Sequence, residues 1–286
     1  MDLLEGTGIT RGGKAMILAY DHGMEHGPRD FDPAIGSEDP MHLLSLAADG
    51  NFTAVVMLPG TAQKYYPARF SLPLILKVNA KSELFAGDDP YSPLLFADTR
   101  EAIEAAKVLG AGALGYTIYL GSSHESLMAR ELSSLCYAAH KASLPVVAWV
   151  YPRGSSFAKE NSGSATARKA LAEAKELGLA VDETPTIVAY AARAAFELGA
   201  DMAKIKYSGS EESFRWAVRC AAGTKVVMSG GPKTKTAEEF LAQVAAVMQA
   251  GGAGVAVGRN VWQLPEKEAL EISRKLHDII FGEQRQ

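Results

Sequence analysis

The sequence predicts a single TIM (β/α)8 barrel covering residues 1–286, and three observations predict it. Eight short apolar runs rich in β-formers recur along the 286 residues, amphipathic segments of helical period separate most of them, and four helix-to-strand joints carry glycine: "ADGNFTAVV", "LGAGALGY", "LGADMAKIK" and "AGGAGVAVG". A doubly wound open sheet is the competing architecture. It usually needs only five to seven strands and opens on a glycine fingerprint, and nothing of that form follows the first run, "KAMILAY".

That first run passes into "DHGMEHGP", whose H-x-x-E-H order is the order of metal ligands in some zinc peptidases. Zinc binding of that kind needs His22 and His26 one turn apart on a helix. Gly23 inside the motif and Gly27-Pro28 after it predict strand into turn instead, which argues against a zinc site here. The next runs, "FTAVVML", "LPLILKVN" and "ALGYTIYL", are rich in Val, Ile, Leu and aromatics, as buried parallel strands are. "LPVVAWVY" is the fifth run, and residues 154–183 after it are longer than a barrel loop needs, beginning Ser/Gly-rich and continuing as an Ala/Glu/Lys helix. "MAKIKYS", "TKVVMSG" and "GVAVGR" complete the eight.

Composition narrows the partners. Lys+Arg 29 against Asp+Glu 33 leaves a formal charge of −4, which provides no general field for nucleic acid or an anionic membrane, so an anionic ligand must meet a local site. Cys136 and Cys220 have no CxxC or paired spacing and read as buried small hydrophobes of a reducing cytosol. The start "MDLLEGTGI" shows no export signal, and no uncharged apolar run reaches membrane-spanning length. A cytoplasmic homo-oligomer acting on a small molecule is expected.

Barrel chemistry sits at the C-terminal ends of strands, and here those ends are polar. Alternation places Met202, Lys204 and Lys206 on one face of the sixth strand, Val147, Trp149 and Tyr151 on one face of the fifth, and Ile17, Ala19 and Asp21 on one face of the first. An inward lysine has two chemical readings, a phosphate-binding cation or an amine that forms a Schiff base. A second lysine nearby favours the neutral, nucleophilic amine. The loops "SGGPKTKT" and "VGRNVW" follow the seventh and eighth strands, the usual phosphate site of barrels, with Ser229, Gly230, Gly231, Gly258 and Arg259 as candidates.

Together, "DHGMEHGP", "WVYPRG", "ADMAKIKYSG", "MSGGPKTKT" and "AVGRNVWQ" resemble the archaeal-type class I fructose-bisphosphate aldolases, the DhnA/DeoC-like aldolases, from about Ile9 onward. The resemblance implies a metal-free barrel that interconverts fructose 1,6-bisphosphate with dihydroxyacetone phosphate and glyceraldehyde 3-phosphate. It implies Lys204 as the Schiff-base lysine, Tyr151 as the proton-transfer group and Asp21 as a substrate-contacting aspartate that assists. It further implies that Trp149 lines the site, that Lys206, Arg153, His22 and the two phosphate loops face the substrate, and that His22 and His26 make supporting hydrogen bonds there. Against this family the chain carries roughly twenty extra residues after "YPRG", which would cover the site, alter the substrate or extend an oligomer contact. The competing activities are a transaldol-type heptulosonate synthase of aromatic amino acid biosynthesis and an acyl-transferring relative acting on a phosphorylated diketone. Glu25, His26 and Trp149 look more like the bisphosphate aldolases.

Overall fold

A computed structural model describes residues 2–66, 72–84, 89–157, 163–231, 234 and 236–282. Its centre is a closed parallel barrel of eight strands in sequence order: β1 (Ala15–Tyr20), β2 (Ala54–Met57), β3 (Leu74–Lys77), β4 (Ala113–Leu120), β5 (Val146–Pro152), β6 (Met202–Ile205), β7 (Lys225–Ser229) and β8 (Gly254–Val257). Each strand pairs with the next, and β8 returns to β1 with Ile17 opposite Ala256. The expected barrel is therefore the observed one.

The period of two along each strand separates two buried layers. Met16, Leu18, Val55, Leu74, Leu76 and their equivalents pack against the helices. Ile17, Ala19, Ala54, Val56, Ile75, Val147, Trp149, Met202 and Ala256 fill the barrel interior. Many interior residues are small, which leaves room for one large ring. Gly115 of β4 is part of that room, since a Cβ built on it would lie 2.8 Å from the Trp149 ring.

Most strands are followed by a single long helix, but β5 is followed by two, Ala165–Leu177 and Pro185–Glu197. The first matches the Ala/Glu/Lys segment read from sequence. Ser164 caps its start by accepting from the Ala167 N–H at 3.2 Å, and Gly178, at φ 67°, ends it in the left-handed conformation. Glu173 fixes this added helix to the next by accepting from the Thr186 N–H at 3.0 Å and its hydroxyl at 2.6 Å. Residues 158–162 of the extra segment, like Pro232, Lys233 and Lys235 of the "SGGPKTKT" loop, lie outside the described residues.

The turn expected after β1 is corrected in one respect. Gly23–His26 forms one turn of α-helix and Gly27–Asp30 one of 3-10 helix, with Pro28 at the first turn of the second, where a missing N–H costs nothing. No described helix is long and apolar enough to cross a membrane.

Candidate active site

A cavity of about 260 Å³ opens at the C-terminal end of the barrel, bounded by His22, Tyr151, Arg153, Lys204, Lys206, Ser229 and Arg259 among others. Gly230, Gly231 and Gly258 complete its β7 and β8 side. Trp149 lies inside the barrel, 2 % exposed, and the Lys204 Nζ stands 5.0 Å from the centre of its ring. Asp21, next after β1, is electrostatically coupled to Lys204, so one site draws on β1, β5, β6, β7 and β8.

Burial sets the protonation of this group. It lowers Lys204 from the ordinary lysine value, because a desolvated ammonium is unfavourable, and it pushes the Tyr151 hydroxyl up to about 12 and His22 down to about 4. Burial would raise Asp21 as well, but His22, Lys204 and Lys77 outweigh it and hold the carboxyl below its usual range. At neutral pH the site thus holds an ionised Asp21, a protonated Tyr151 and a neutral His22.

Several polar atoms here have no hydrogen-bond partner among the described residues: Asp21 Oδ1, His22 Nδ1, Trp149 Nε1 and Arg259 Nε. An unpaired buried polar group costs about 1–3 kcal/mol, so its concentration in one cavity marks a surface shaped for a ligand. Tyr151 does have a partner, its hydroxyl lying 3.1 Å from Ser229 Oγ. The β7 and β8 loops are tied together by Asn260, which donates to the Gly230 carbonyl at 2.7 Å and accepts from the Thr234 N–H at 2.9 Å. Gly231 adopts φ 62°, a conformation that favours glycine, beside this tie.

Two sequence expectations change. Among the described residues His22 makes no supporting hydrogen bond: its Nδ1 lies 3.5 Å from Asp21 Oδ1 and is one of the unpaired atoms, whereas His26 Nδ1 does meet Asp30 Oδ2 at 2.6 Å. Lys206 lines the cavity, but β6 ends one residue before it, and its ammonium turns to the extra segment, 2.7 Å from Glu183 Oε1 and 3.3 Å from Asp182 Oδ1. Arg153 joins the same cluster, donating to Asp182 at 2.7 Å while its guanidinium stacks 4.5 Å from the Tyr151 ring centre. The extra segment therefore reaches the rim of the site.

Other polar residues were not singled out from sequence. Lys77, at the end of β3, is buried with its Nζ 5.6 Å from the Trp149 ring centre, and Tyr119 donates to Glu25 at 3.0 Å. The alternation that turns Lys204 inward on β6 turns Lys77 inward on β3, because Leu74 and Leu76 take the helix side. Asp30, which pairs with Arg259 at 3.5 Å, and Asn260 gave no such signal.

Comparison with known proteins agrees with this geometry. A profile of the DeoC/LacD family aldolases matches residues 15–264. The chain is 47% identical over 275 residues to a class 1 fructose-bisphosphate aldolase of Thermoproteus tenax, covering 96% of this chain and 92% of that protein. It is 41% identical over 260 residues to the class 1 fructose-bisphosphate aldolase of Halobacterium salinarum, covering 91% and 88%. A solved archaeal fructose-1,6-bisphosphate aldolase, its catalytic lysine covalently bound to the carbinolamine intermediate of the substrate, superposes with a TM-score of 0.81 at 45% identity over 98% of both chains.

Proposed function

The chain belongs to the DeoC/LacD aldolase family, and from that premise we propose that it is a class I aldolase that cleaves or forms fructose 1,6-bisphosphate through a Schiff base on Lys204. One observation carries the assignment of the residue: Lys204 is 3 % exposed at the inner end of β6, lowered by burial, and still open to the cavity. Only the neutral amine attacks a carbonyl, and burial favours that form of Lys204.

The remaining roles follow from protonation. Lys204 Nζ adds to the C2 ketone, and Tyr151, which holds its proton, donates it to the leaving hydroxyl of the carbinolamine, giving the iminium and water. Asp21, already ionised and with Oδ1 free, takes the proton of the C4 hydroxyl. The C4–O electrons become the aldehyde carbonyl, the C3–C4 bond breaks, and its pair flows into the iminium as an enamine. Asp21 returns the proton it took to C3 of the enamine, and water then adds to the resulting iminium, its surplus proton going to the Tyr151 phenolate, which releases dihydroxyacetone phosphate and regenerates the amine and both side chains. Ser229, Gly230, Gly231, Gly258 and Arg259 are the proposed hold on one phosphate, with backbone N–H groups and one guanidinium converging on the anion. Lys206 and Arg153 line the same cavity beyond the ends of β6 and β5, paired with Glu183 and Asp182.

Borohydride reduction in the presence of dihydroxyacetone phosphate tests the reading. Loss of activity with the triose fixed to Lys204 is expected. A label on Lys206 or Lys77, or no label on active protein, would overturn it.

A further inference from the structure

The bisphosphate carries a phosphate at each end, and the cavity treats its two sides differently. On the β7 and β8 side, Gly230, Gly231 and Gly258 meet Arg259, whose ion-pair partner Asp30 lies 3.5 Å away and also meets His26 at 2.6 Å. Arg259 Nε has no partner among the described residues, so this side still has a guanidinium N–H to offer an anion.

The other side is already filled. Beyond β6, Lys206 Nζ meets Glu183 Oε1 at 2.7 Å and Asp182 Oδ1 at 3.3 Å; beyond β5, Arg153 Nε donates to Asp182 Oδ2 at 2.7 Å. Asp182 thus bridges the two cations, one oxygen to each. Two negative charges offset two positive ones, and with the Lys206 and Asp182 side chains each only 13 % exposed, solvent does little to weaken the pairing. The other described cations give no substitute. Arg29 is paired with Glu83 at 2.7 Å, Lys204 is the nucleophile, and Lys77 at the end of β3 donates to the Asn79 carbonyl at 2.7 Å and to Asn79 Oδ1 at 3.0 Å.

Both offsetting carboxylates come from the added segment. They sit in the 3-10 turn Val181–Glu183, between the added helix Ala165–Leu177 and the helix Pro185–Glu197. Thr184, fully buried, closes that turn by donating its hydroxyl to the Val181 carbonyl at 2.9 Å, and Glu173 of the added helix holds Thr186 just beyond it. The backbone therefore presents Asp182 and Glu183 to the rim as a fixed pair.

We infer that this acidic turn sets specificity for the aldehyde half of the substrate: by occupying Arg153 and Lys206 it weakens the attraction for a second phosphate, so the enzyme takes uncharged aldehydes beside phosphorylated ones. The triose that stays on Lys204 keeps its phosphate in the β7 and β8 loops, and the phosphate of the departing aldehyde is left to the two occupied cations. The inference rests on the aldolase reading above.

The test is condensation of dihydroxyacetone phosphate with glyceraldehyde 3-phosphate and, separately, with glyceraldehyde, the ratio of the two kcat/KM values being the readout. The double variant Asp182→Asn, Glu183→Gln keeps an oxygen for each cation and removes both negative charges. Its ratio should rise about tenfold in favour of the phosphorylated aldehyde, the low end of what a charge-assisted contact to phosphate is worth, while borohydride trapping of dihydroxyacetone phosphate stays at the wild-type rate. Adding Arg153→Gln and Lys206→Gln should abolish the gain. If the double variant fails to fold, Glu183→Gln alone, at the more exposed of the two positions, is read by the same criterion. An unchanged or lower ratio would mean that the carboxylates only hold the two cations in place, and that result, or a gain that survives loss of both cations, overturns the inference. Wild-type protein that traps no triose on Lys204 overturns instead the aldolase reading beneath it.

Discussion

At pH 7 the Tyr151 hydroxyl holds its proton, because burial pushes it up to about 12, whereas Asp21, held below its usual range, is ionised. The two residues therefore fail differently when altered. Tyr151→Phe deletes only a hydroxyl, so the fold should persist while both trapping rate and turnover fall by about 10²–10⁴, the usual share of a positioned acid or base. Asp21→Asn should leave trapping with dihydroxyacetone phosphate in place and abolish cleavage of the bisphosphate. Exchange of these two patterns would exchange the roles. Arg259 is held ready by Asp30 and carries an unpaired Nε, so Arg259→Ala should raise KM about ten- to a hundredfold for phosphorylated sugars, the value of a charge-assisted contact, and far less for unphosphorylated analogues. Equal losses on both would remove Arg259 from the phosphate site.

The interior of β4 and β5 shows how an element can serve chemistry through packing alone. Gly115→Ala places a methyl against the Trp149 ring, and the expected cost is about 1–3 kcal/mol of overpacking, seen as a lower melting temperature. Because Lys204 stands over that ring, trapping on Lys204 should slow in the same variant. A variant with normal stability and normal trapping would show that the ring has slack. The strands themselves were legible in sequence because each is a dense apolar run and alternation fixes its inward face, which turns Lys204, Trp149, Tyr151 and Asp21 toward the barrel mouth. The same rule covers Lys77, but a lysine after "LPLIL" looks like a solvated strand end until Asn79 is seen to hold it. The extra helix was legible from its Ala/Glu/Lys composition, whereas the grip of Asp182 and Glu183 on Arg153 and Lys206 was not, since nothing local in "VDE" states which cations it meets. The hydrogen bond that the resemblance implies for His22 is not made among the described residues, because its Nδ1 stays 3.5 Å from Asp21 Oδ1.

For the molecule as a whole, burying His22 neutral ties stability to acidity. Its folded value of about 4 lies below the ordinary 6.5, so between those values the unfolded chain binds a proton that the folded chain refuses. Stability contributed by neutral His22 is complete above about 6.5 and is lost as the pH falls toward 4. Asp21, also lowered, adds its own loss further down, below its ordinary carboxylate value. Melting temperature should fall from pH 7 to pH 5, and His22→Gln should flatten that fall; an unchanged slope would place the titration elsewhere.

The closure of β8 onto β1 also bears on when the protein becomes reactive during synthesis. Trp262 donates to the Ala19 carbonyl at 3.1 Å and Gln263 to the Asp30 carbonyl at 2.8 Å, so residues near the end of the chain pin the loop that carries Asp21 and His22. A ribosome has made Lys204 well before it makes these partners. Until they emerge, the barrel has no closing strand, and the burial that lowers Lys204 is incomplete. On the proposed role of Lys204, a chain truncated before β8 should trap no triose on that lysine although it carries it.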